Sequence, residues 1–353
     1  MSQSQERILR DRFRATLLGA AIGDALAFPY EGASRESLRR AENLTRAFKA
    51  RKPFPAGCYS DDTQMLLAVA QAINESGKIE GQSVARCLTS IWEQGAIFYA
   101  DPVCSEAVAR HKRGVPWMMA GTPAGLENAT CTAAVRAAPV GLFFCDRFDQ
   151  LTRAASTQSL VTHQDPGAIA GSIAMAAAVA LSLPVYEKFP CDTFCWNVAA
   201  TVRGVSQELA SHIEQLPQYL SFEPQDASRV ISNIGQPPDR PKSHVGISLY
   251  VFPAVLMALY ACIKSSGDFD ACMNIVIRSG GFTASVACMA GALLGARFGT
   301  GALPKKFRDR VIHGGALVQV ADGLFERKFL PIRPVDACAV TAGAARHPPA
   351  GCR

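Results

Sequence analysis

Two short acidic segments near the start of the chain hold the residue types that bind hard cations or move protons. In GAAIGDALAFPYEG (19–32), Gly23 and Asp24 interrupt an apolar helical run, and Glu31 follows seven residues after Asp24. In GCYSDDTQMLLAVAQAI (57–73), Ser60, Asp61, Asp62 and Thr63 stand where an apolar-periodic helix begins. Adjacent carboxylates flanked by hydroxyls gather hard oxygen ligands at one point, which suits Mg²⁺ or a similar divalent ion. A plainer role fits the same residues: Ser60 or Asp61 caps the helix, and acids in its first turn oppose the helix dipole. Gly-Asp followed by a lone glutamate is equally a turn with a solvated acid. From either segment alone, both readings stay open. His163, at the start of a later helical stretch, is open in the same way between a hydrogen-bonded structural residue and a ligand contact.

Helices must position these groups. Residues 8–27 form a helix that runs into Gly23-Asp24, and in 62–76 the apolar positions Met65, Leu66, Val69, Ala70 and Ile73 follow the i, i+3/i+4 pattern of an amphipathic helix. Further helices are expected over 81–95, 133–144, 148–156, 166–183, 192–211, 246–265, 268–278, 283–297, 304–312 and 314–323. The Ala-rich runs GSIAMAAAVALSL (171–183) and ACMAGALLGARFG (287–299) call for helices packed closely against their neighbours. Alternating strand patterns are almost absent, so the expected class is all-α. Gly and Pro mark loops at 51–60, 114–131, 215–230 and 235–244. The stretch 215–244 is the best candidate for a domain boundary, yet it reads as a surface excursion because the motifs lie on both sides of it. One domain over 1–330 and a flexible tail over 331–353 are expected.

The hydrophobic fraction of 49% fills one large core, and a net charge of +6 spread along the chain lacks the stripe or patch that nucleic-acid binding needs. Twelve cysteines are scattered without paired metal spacing, several of them inside apolar helices where cysteine acts as a small core residue. Only Cys191 and Cys195 lie close, with no second pair to complete a zinc site. The charged N-terminus MSQSQERILRDRFR is not a secretory signal, and no long apolar run suggests a membrane span. A reducing, cytoplasmic compartment is expected, with delivery into another cell equally compatible.

The order of Gly-Asp…Glu followed by Ser-Asp-Asp-Thr-Gln-Met resembles the ADP-ribosylglycohydrolase family, which holds the hydrolases that remove ADP-ribose from arginine or serine side chains, the nitrogenase-reactivating glycohydrolases and the J1 crystallins. The resemblance continues. VRAAPVGLFF (135–144) is similar to a family segment reading Met-Arg-x-Ala-Pro-x-Gly-Leu, which places Arg136 and Pro139. LVTHQDPGAIAGSIA (160–174) is similar to its Thr-His-x-Asp/His-Pro segment, which places His163 and Asp165. SGGFTASVACMAGALLGARFGTGALP (279–304) is similar to the segment where Gly-Gly opens a helix ending in Gly-Ala-x-x-Gly. These motifs, in the family's order, span about residues 13–320.

The resemblance implies a compact orthogonal helical bundle whose cleft holds two Mg²⁺ or Mn²⁺ ions beside an ADP-ribose pocket. The first ligand group is intact as Ser60, Asp61 and Asp62. The second, Gly-Gly-Asp-Thr-Asp-Thr in the family, here reads Gly280, Gly281, Phe282, Thr283, Ala284, Ser285. A hard cation gains nothing from Phe282 or Ala284. The expected cofactor is therefore at most one weakly held Mg²⁺ or Mn²⁺ on Ser60, Asp61 and Asp62. The family's Asn-Gly ahead of the motif arginine is Cys131-Thr132 here, and Cys131 reads as an inert packed thiol, since nothing in the sequence lowers its pKa.

Carried over residue by residue, the resemblance assigns chemistry to Glu31, Asp61 and Asp62. It assigns ligand contact to Asp24, Cys131, Thr132, Arg136, His163, Phe282 and Ser285. The implied partner is an ADP-ribose-type small molecule or an ADP-ribosylated protein. The implied function is hydrolysis or rearrangement of the glycosidic bond, with one carboxylate acting as general base and the pocket stabilising an oxocarbenium-like ribose. The alternative is a binding protein without turnover, in which Phe282 offers a stacking surface where ions would sit.

Overall fold

The computed structural model describes residues 2–95, 97–235 and 246–330. Its helices are, in chain order, α1 (Gln3–Ala27), α2 (Arg35–Arg39), α3 (Asp61–Ser76), α4 (Gly81–Glu93), α5 (Pro102–Lys112) and the single turn α6 (Trp117–Ala120). There follow α7 (Thr132–Val135), α8 (Ala138–Phe143), α9 (Phe148–Leu160), α10 (Pro166–Ser182), α11 (Cys191–Val202), α12 (Gln207–Tyr219) and α13 (Pro224–Ile231). The last group is α14 (Val251–Ser265), α15 (Phe269–Ser279), α16 (Thr283–Phe298), α17 (Lys305–Arg308) and α18 (Gly314–Phe329). No strand occurs among the described residues. Isolated bridges (Thr122 with His163, Thr130 with Tyr250, Ile247 with Gly281) tie loops together. The all-α expectation holds.

The centre of the molecule is the antiparallel pair α1 and α16, which meet backbone to backbone. A Cβ built on Gly19 would lie 2.2 Å from the carbonyl oxygen of Gly291, and one on Gly23 would lie 2.1 Å from that of Ala287. The reciprocal positions are as tight: a Cβ on Gly291 would stand 2.0 Å from the Gly19 oxygen, and one on Gly295 2.0 Å from the Ala15 oxygen. Only residues without a side chain allow this approach. Its consequence is positional, because the C-terminal end of α1, with Asp24, is locked against the N-terminal end of α16, with Ser285. The Thr283 hydroxyl seals that junction by donating to the Ala27 carbonyl at 3.2 Å. The Ala-rich α10 is buried along nearly its whole length and packs on α7, α8, α9, α11, α14 and α16. The buried apolar residues form one contiguous cluster from Phe13 to Phe325.

Several element boundaries differ from the sequence expectation, for local reasons. α1 starts at Gln3 because Ser2 and Gln5 form a reciprocal capping box. The helix expected over 133–144 is divided at Arg136–Ala137, since Pro139 has no N–H to continue the ladder back to Val135. The helix expected over 192–211 ends at Val202 and restarts at Gln207, where the Ser206 side chain accepts from the Leu209 N–H. Residues 215–230, expected as loop, hold the end of α12 and all of α13 but its last residue, because Pro224 stands at the helix start, where its missing N–H costs nothing. α14 begins at Val251 rather than 246, and 304–312 contributes only the turn α17. Residues 236–244 of the boundary candidate and the expected tail 331–353 lie outside the described residues. Among the described residues no helix is long and apolar enough to cross a membrane.

Candidate active site

Two helix starts meet at one cavity, and each is capped by a carboxylate from another element. Ser60 is the N-cap of α3, its hydroxyl accepting from the Asp62 N–H at 3.3 Å. The remaining donors of this turn go to Asp24 on α1. Its carboxylate accepts from the Ser60 N–H at 3.0 and 3.1 Å, from the Thr63 N–H at 3.2 Å and from the Thr63 hydroxyl at 2.6 Å. The start of α16 has no side-chain cap of its own, because its N-cap residue is Phe282. Glu31 supplies one, Oε2 accepting from the Ala284 N–H at 2.8 Å. Ser285, one residue further, donates to Asp62 Oδ2 at 2.7 Å and so bridges the two helix starts. Asp61 is fixed from a third side, its Oδ2 accepting from the Asp101 N–H at 3.1 Å.

The cavity between these elements measures about 370 Å³. One wall carries the carboxylates of Glu31, Asp61, Asp62 and Asp101 with the hydroxyls of Ser60, Thr132 and Ser285. The rest of the lining includes apolar and aromatic side chains: Phe28, Tyr99, Leu249 and Phe282. Burial pushes the carboxyls upward. Glu31 rises to about 7, mainly by burial, with the Ala284 N–H opposing. Asp61 and Asp62 rise well above the ordinary range, first through burial, then Asp61 through the charge of Asp62 and Asp62 through the charge of Asp24. Asp24 is raised to about 6 by burial, against the pull of its hydrogen bonds. Among the described residues no lysine or arginine donates to these carboxylates. Arg51, whose charge acts on Glu31, donates instead to the carbonyls of Phe28 (2.8 Å) and Glu31 (3.3 Å) and to the Tyr99 hydroxyl (3.0 Å). Such a cluster takes up protons or a cation.

The donor set bears on which cation. Ser60, Asp61 and Asp62 present hard oxygens from one helix turn to the cavity, a set that fits a single Mg²⁺-like ion completing its shell with water. On the α16 side, Phe282 and Ala284 line the same cavity and offer no oxygen.

Of the residues expected to touch a ligand, Thr132, Phe282 and Ser285 line the cavity, whereas Asp24, Cys131, Arg136 and His163 are fully buried behind it. Asp24 is consumed in capping α3. Cys131 is an enclosed thiol pushed up by burial and by the charge of Asp62, so it is no nucleophile. Arg136 spends its guanidinium on Gln158 Oε1 (2.8 Å), the Gln158 carbonyl (2.9 Å) and the Thr162 hydroxyl (2.6 Å). His163 bonds Thr130 and Thr162 through its two ring nitrogens. Asp101, Cys104 and His163 bring their ligand atoms within 4.8 Å of one another. They do not suit a metal, because both His163 nitrogens are engaged and Arg136 Nη1 stands 3.6 Å from Cys104 Sγ.

Sequence reasoning missed Asp101 and Tyr99. Asp101-Pro102 carries a legible helix-start signal: Asp101 caps α5 by accepting from the Val103 N–H at 3.0 Å, and Pro102 occupies the first position. Tyr99 has no such signal. It sits at φ +65° in the segment before that cap, stacked by Arg51 at 4.6 Å.

Fold and cavity together describe an all-α scaffold that gathers acidic side chains at paired helix starts. The ADP-ribosylglycohydrolase family model matches residues 5–332, and the chain belongs to that family. It is 27% identical over 323 residues to an uncharacterised protein of Archaeoglobus fulgidus, covering 90% of this chain and 97% of that one. It is 26% identical over 326 residues to the ADP-ribosylarginine hydrolase Tri1 of Pseudomonas putida, covering 90% of this chain and 78% of that protein. A solved structure described as an ADP-ribosylglycohydrolase-related protein complex superposes with a TM-score of 0.70 at 20% identity, covering 91% of this chain and 99% of that one.

Proposed function

We propose that this protein hydrolyses the glycosidic bond between ADP-ribose and an acceptor side chain, with a cation site reduced to one ion or none. The observation that carries the reading is the convergence of Glu31, Asp61 and Asp62 on one cavity also lined by aromatic side chains. Glu31, raised to about 7, holds its proton part of the time near neutrality, which suits a group that passes a proton to or from water or the departing acceptor atom. Whichever of the crowded Asp61 and Asp62 has given up its proton opposes the positive charge that develops on the ribose as the bond opens. Phe28, Tyr99 and Phe282 give flat groups a surface to lie on.

Ser60, Asp61 and Asp62 are the residues that would hold a Mg²⁺ or Mn²⁺ ion. Such an ion supplies positive charge for the ribose hydroxyls or pyrophosphate of the ligand. A second ion lacks ligands in this reading, because Phe282 and Ala284 stand where carboxylates are required. That same substitution favours a second reading, an ADP-ribose-binding protein without turnover. Partners on either reading are an ADP-ribose-type molecule or an ADP-ribosylated protein, and the relative in Pseudomonas putida makes arginine-linked ADP-ribose the first substrate to try. A reducing compartment such as the cytoplasm is supported by the described cysteines, all of them free thiols. The test is ADP-ribose release from ADP-ribosyl-arginine and ADP-ribosyl-serine peptides, with Mg²⁺ and with a chelator in parallel. Release that survives chelation supports metal-independent hydrolysis. Release that needs Mg²⁺ supports one retained ion. No release in either condition rejects the hydrolase in favour of the binding protein.

A further inference from the structure

A chain of short hydrogen bonds runs behind the cavity from Arg136 to Asp101, and the donor count fixes its direction. Asp101 Oδ2 accepts from the Thr130 hydroxyl at 2.8 Å and from the Thr132 hydroxyl at 2.5 Å. A hydroxyl has one proton, so Thr130, having given its own to Asp101, meets His163 Nε2 at 2.6 Å only as an acceptor. His163 Nε2 therefore carries a proton. At the other end, Arg136 Nη2 donates to the Thr162 oxygen at 2.6 Å, and the Thr162 proton goes to His163 Nδ1 at 2.7 Å in preference to the Ser159 carbonyl at 3.5 Å. Nδ1 is then bare. Every link points the same way, from the buried guanidinium through Thr162, His163 and Thr130 to the carboxylate.

We propose that His163, held with its single proton on Nε2, is a positioning residue that fixes the Asp101 carboxylate at the cavity wall. All the members of the chain are buried, and Asp101 is the one whose side chain also faces the cavity along with Thr132. The backbone of Asp101 in turn holds Asp61, so the relay sets the geometry of the wall rather than touching a ligand itself. Burial pushes the imidazole down to about 4, with the Arg136 charge acting in the same sense and Asp101 against it. The ring is thus neutral at physiological pH, as the donor count requires. The two charges at the ends of the chain polarise it in one sense.

The direct test is the tautomer. In the full-length chain with ¹⁵N-labelled histidine, the His163 signals are assigned by their loss in His163→Gln. The proposal requires a protonated Nε2 and an unprotonated Nδ1, unchanged between pH 5 and pH 8. A proton on Nδ1, or on both nitrogens, overturns it. A kinetic arm rests on the hydrolase reading. His163→Ala is expected to lower kcat about 10- to 100-fold with little change in KM, the range seen when a supporting hydrogen bond behind a site is removed. His163→Gln, whose side-chain amide replaces the Nε2 donor, is expected to recover most of that loss. Thr130→Val, similar in shape, is expected to lose as much as His163→Ala, and the double variant no more than either. Equal kcat loss in the Gln and Ala variants, or additive losses in the double variant, contradicts positioning through Thr130. If the wild type releases no ADP-ribose at all, the hydrolase reading fails while the tautomer measurement still decides the relay.

Discussion

Glu31→Gln separates stability from activity in a way that follows from the site's electrostatics. The Glu31 carboxyl has an ordinary value of 4.5 and is raised to about 7 in the folded chain. Between those values the folded state holds a proton that the unfolded state has released, so stability falls as pH rises through this window and levels off above it. The full shift corresponds to about 3 kcal/mol, at roughly 1.4 kcal/mol per pKa unit. The side chain lines an open cavity and is partly exposed, so water screens part of this, and about 1–2 kcal/mol is the expected effect. The amide keeps an oxygen for the Ala284 N–H and does not ionise. In chelator-containing buffer, urea unfolding should show Glu31→Gln more stable than wild type by about 1–2 kcal/mol at pH 8 and nearly equal to it below pH 4.5. ADP-ribose release by the same variant should be strongly reduced. A variant no more stable than wild type at pH 8, or a wild type equally stable at pH 5 and pH 8, would refute the reasoning.

Two further outcomes test the scaffold and the cation site. Gly291→Ala forces a methyl group to within 2.0 Å of the Gly19 carbonyl oxygen, backbone against backbone, and should cost about 3 kcal/mol or more, read as a lowered urea midpoint. Phe282→Asp combined with Ala284→Asp places carboxylates on the bare side of the cavity and should tighten Mg²⁺ or Mn²⁺ binding by calorimetry. Unchanged metal binding in that double variant would place these residues outside the cation's reach.

The helical class and the packing of Ala-rich runs were legible because they depend on periodicity and side-chain size, as α10 and α16 illustrate. Which acids sit near each other was legible as well: Asp24, Glu31, Asp61 and Asp62 do gather around the start of α3. What spacing cannot convey is depth. Asp24 and His163 stand at motif positions that suggest ligand contact, yet Asp24 is spent on the backbone of Ser60 and Thr63, and His163 on two threonines. The decisive partners arrive from distant elements, as when Ser285 meets Asp62 or the Asp101 N–H meets Asp61, and no local pattern announces them. Proline has two uses that spacing alone does not separate: Pro224 lies in a stretch that reads as loop, yet it opens a helix.

The central claim is that the acids at the start of α3 carry hydrolysis of an ADP-ribosyl bond. The most direct measurement is ADP-ribose release from an ADP-ribosyl-arginine peptide by wild type and by Asp61→Ala/Asp62→Ala, each with Mg²⁺ and with chelator. Release by the wild type and its loss from the double variant, with the fold intact by circular dichroism, is the predicted result. Undiminished release by the double variant, or none by the wild type, would contradict it.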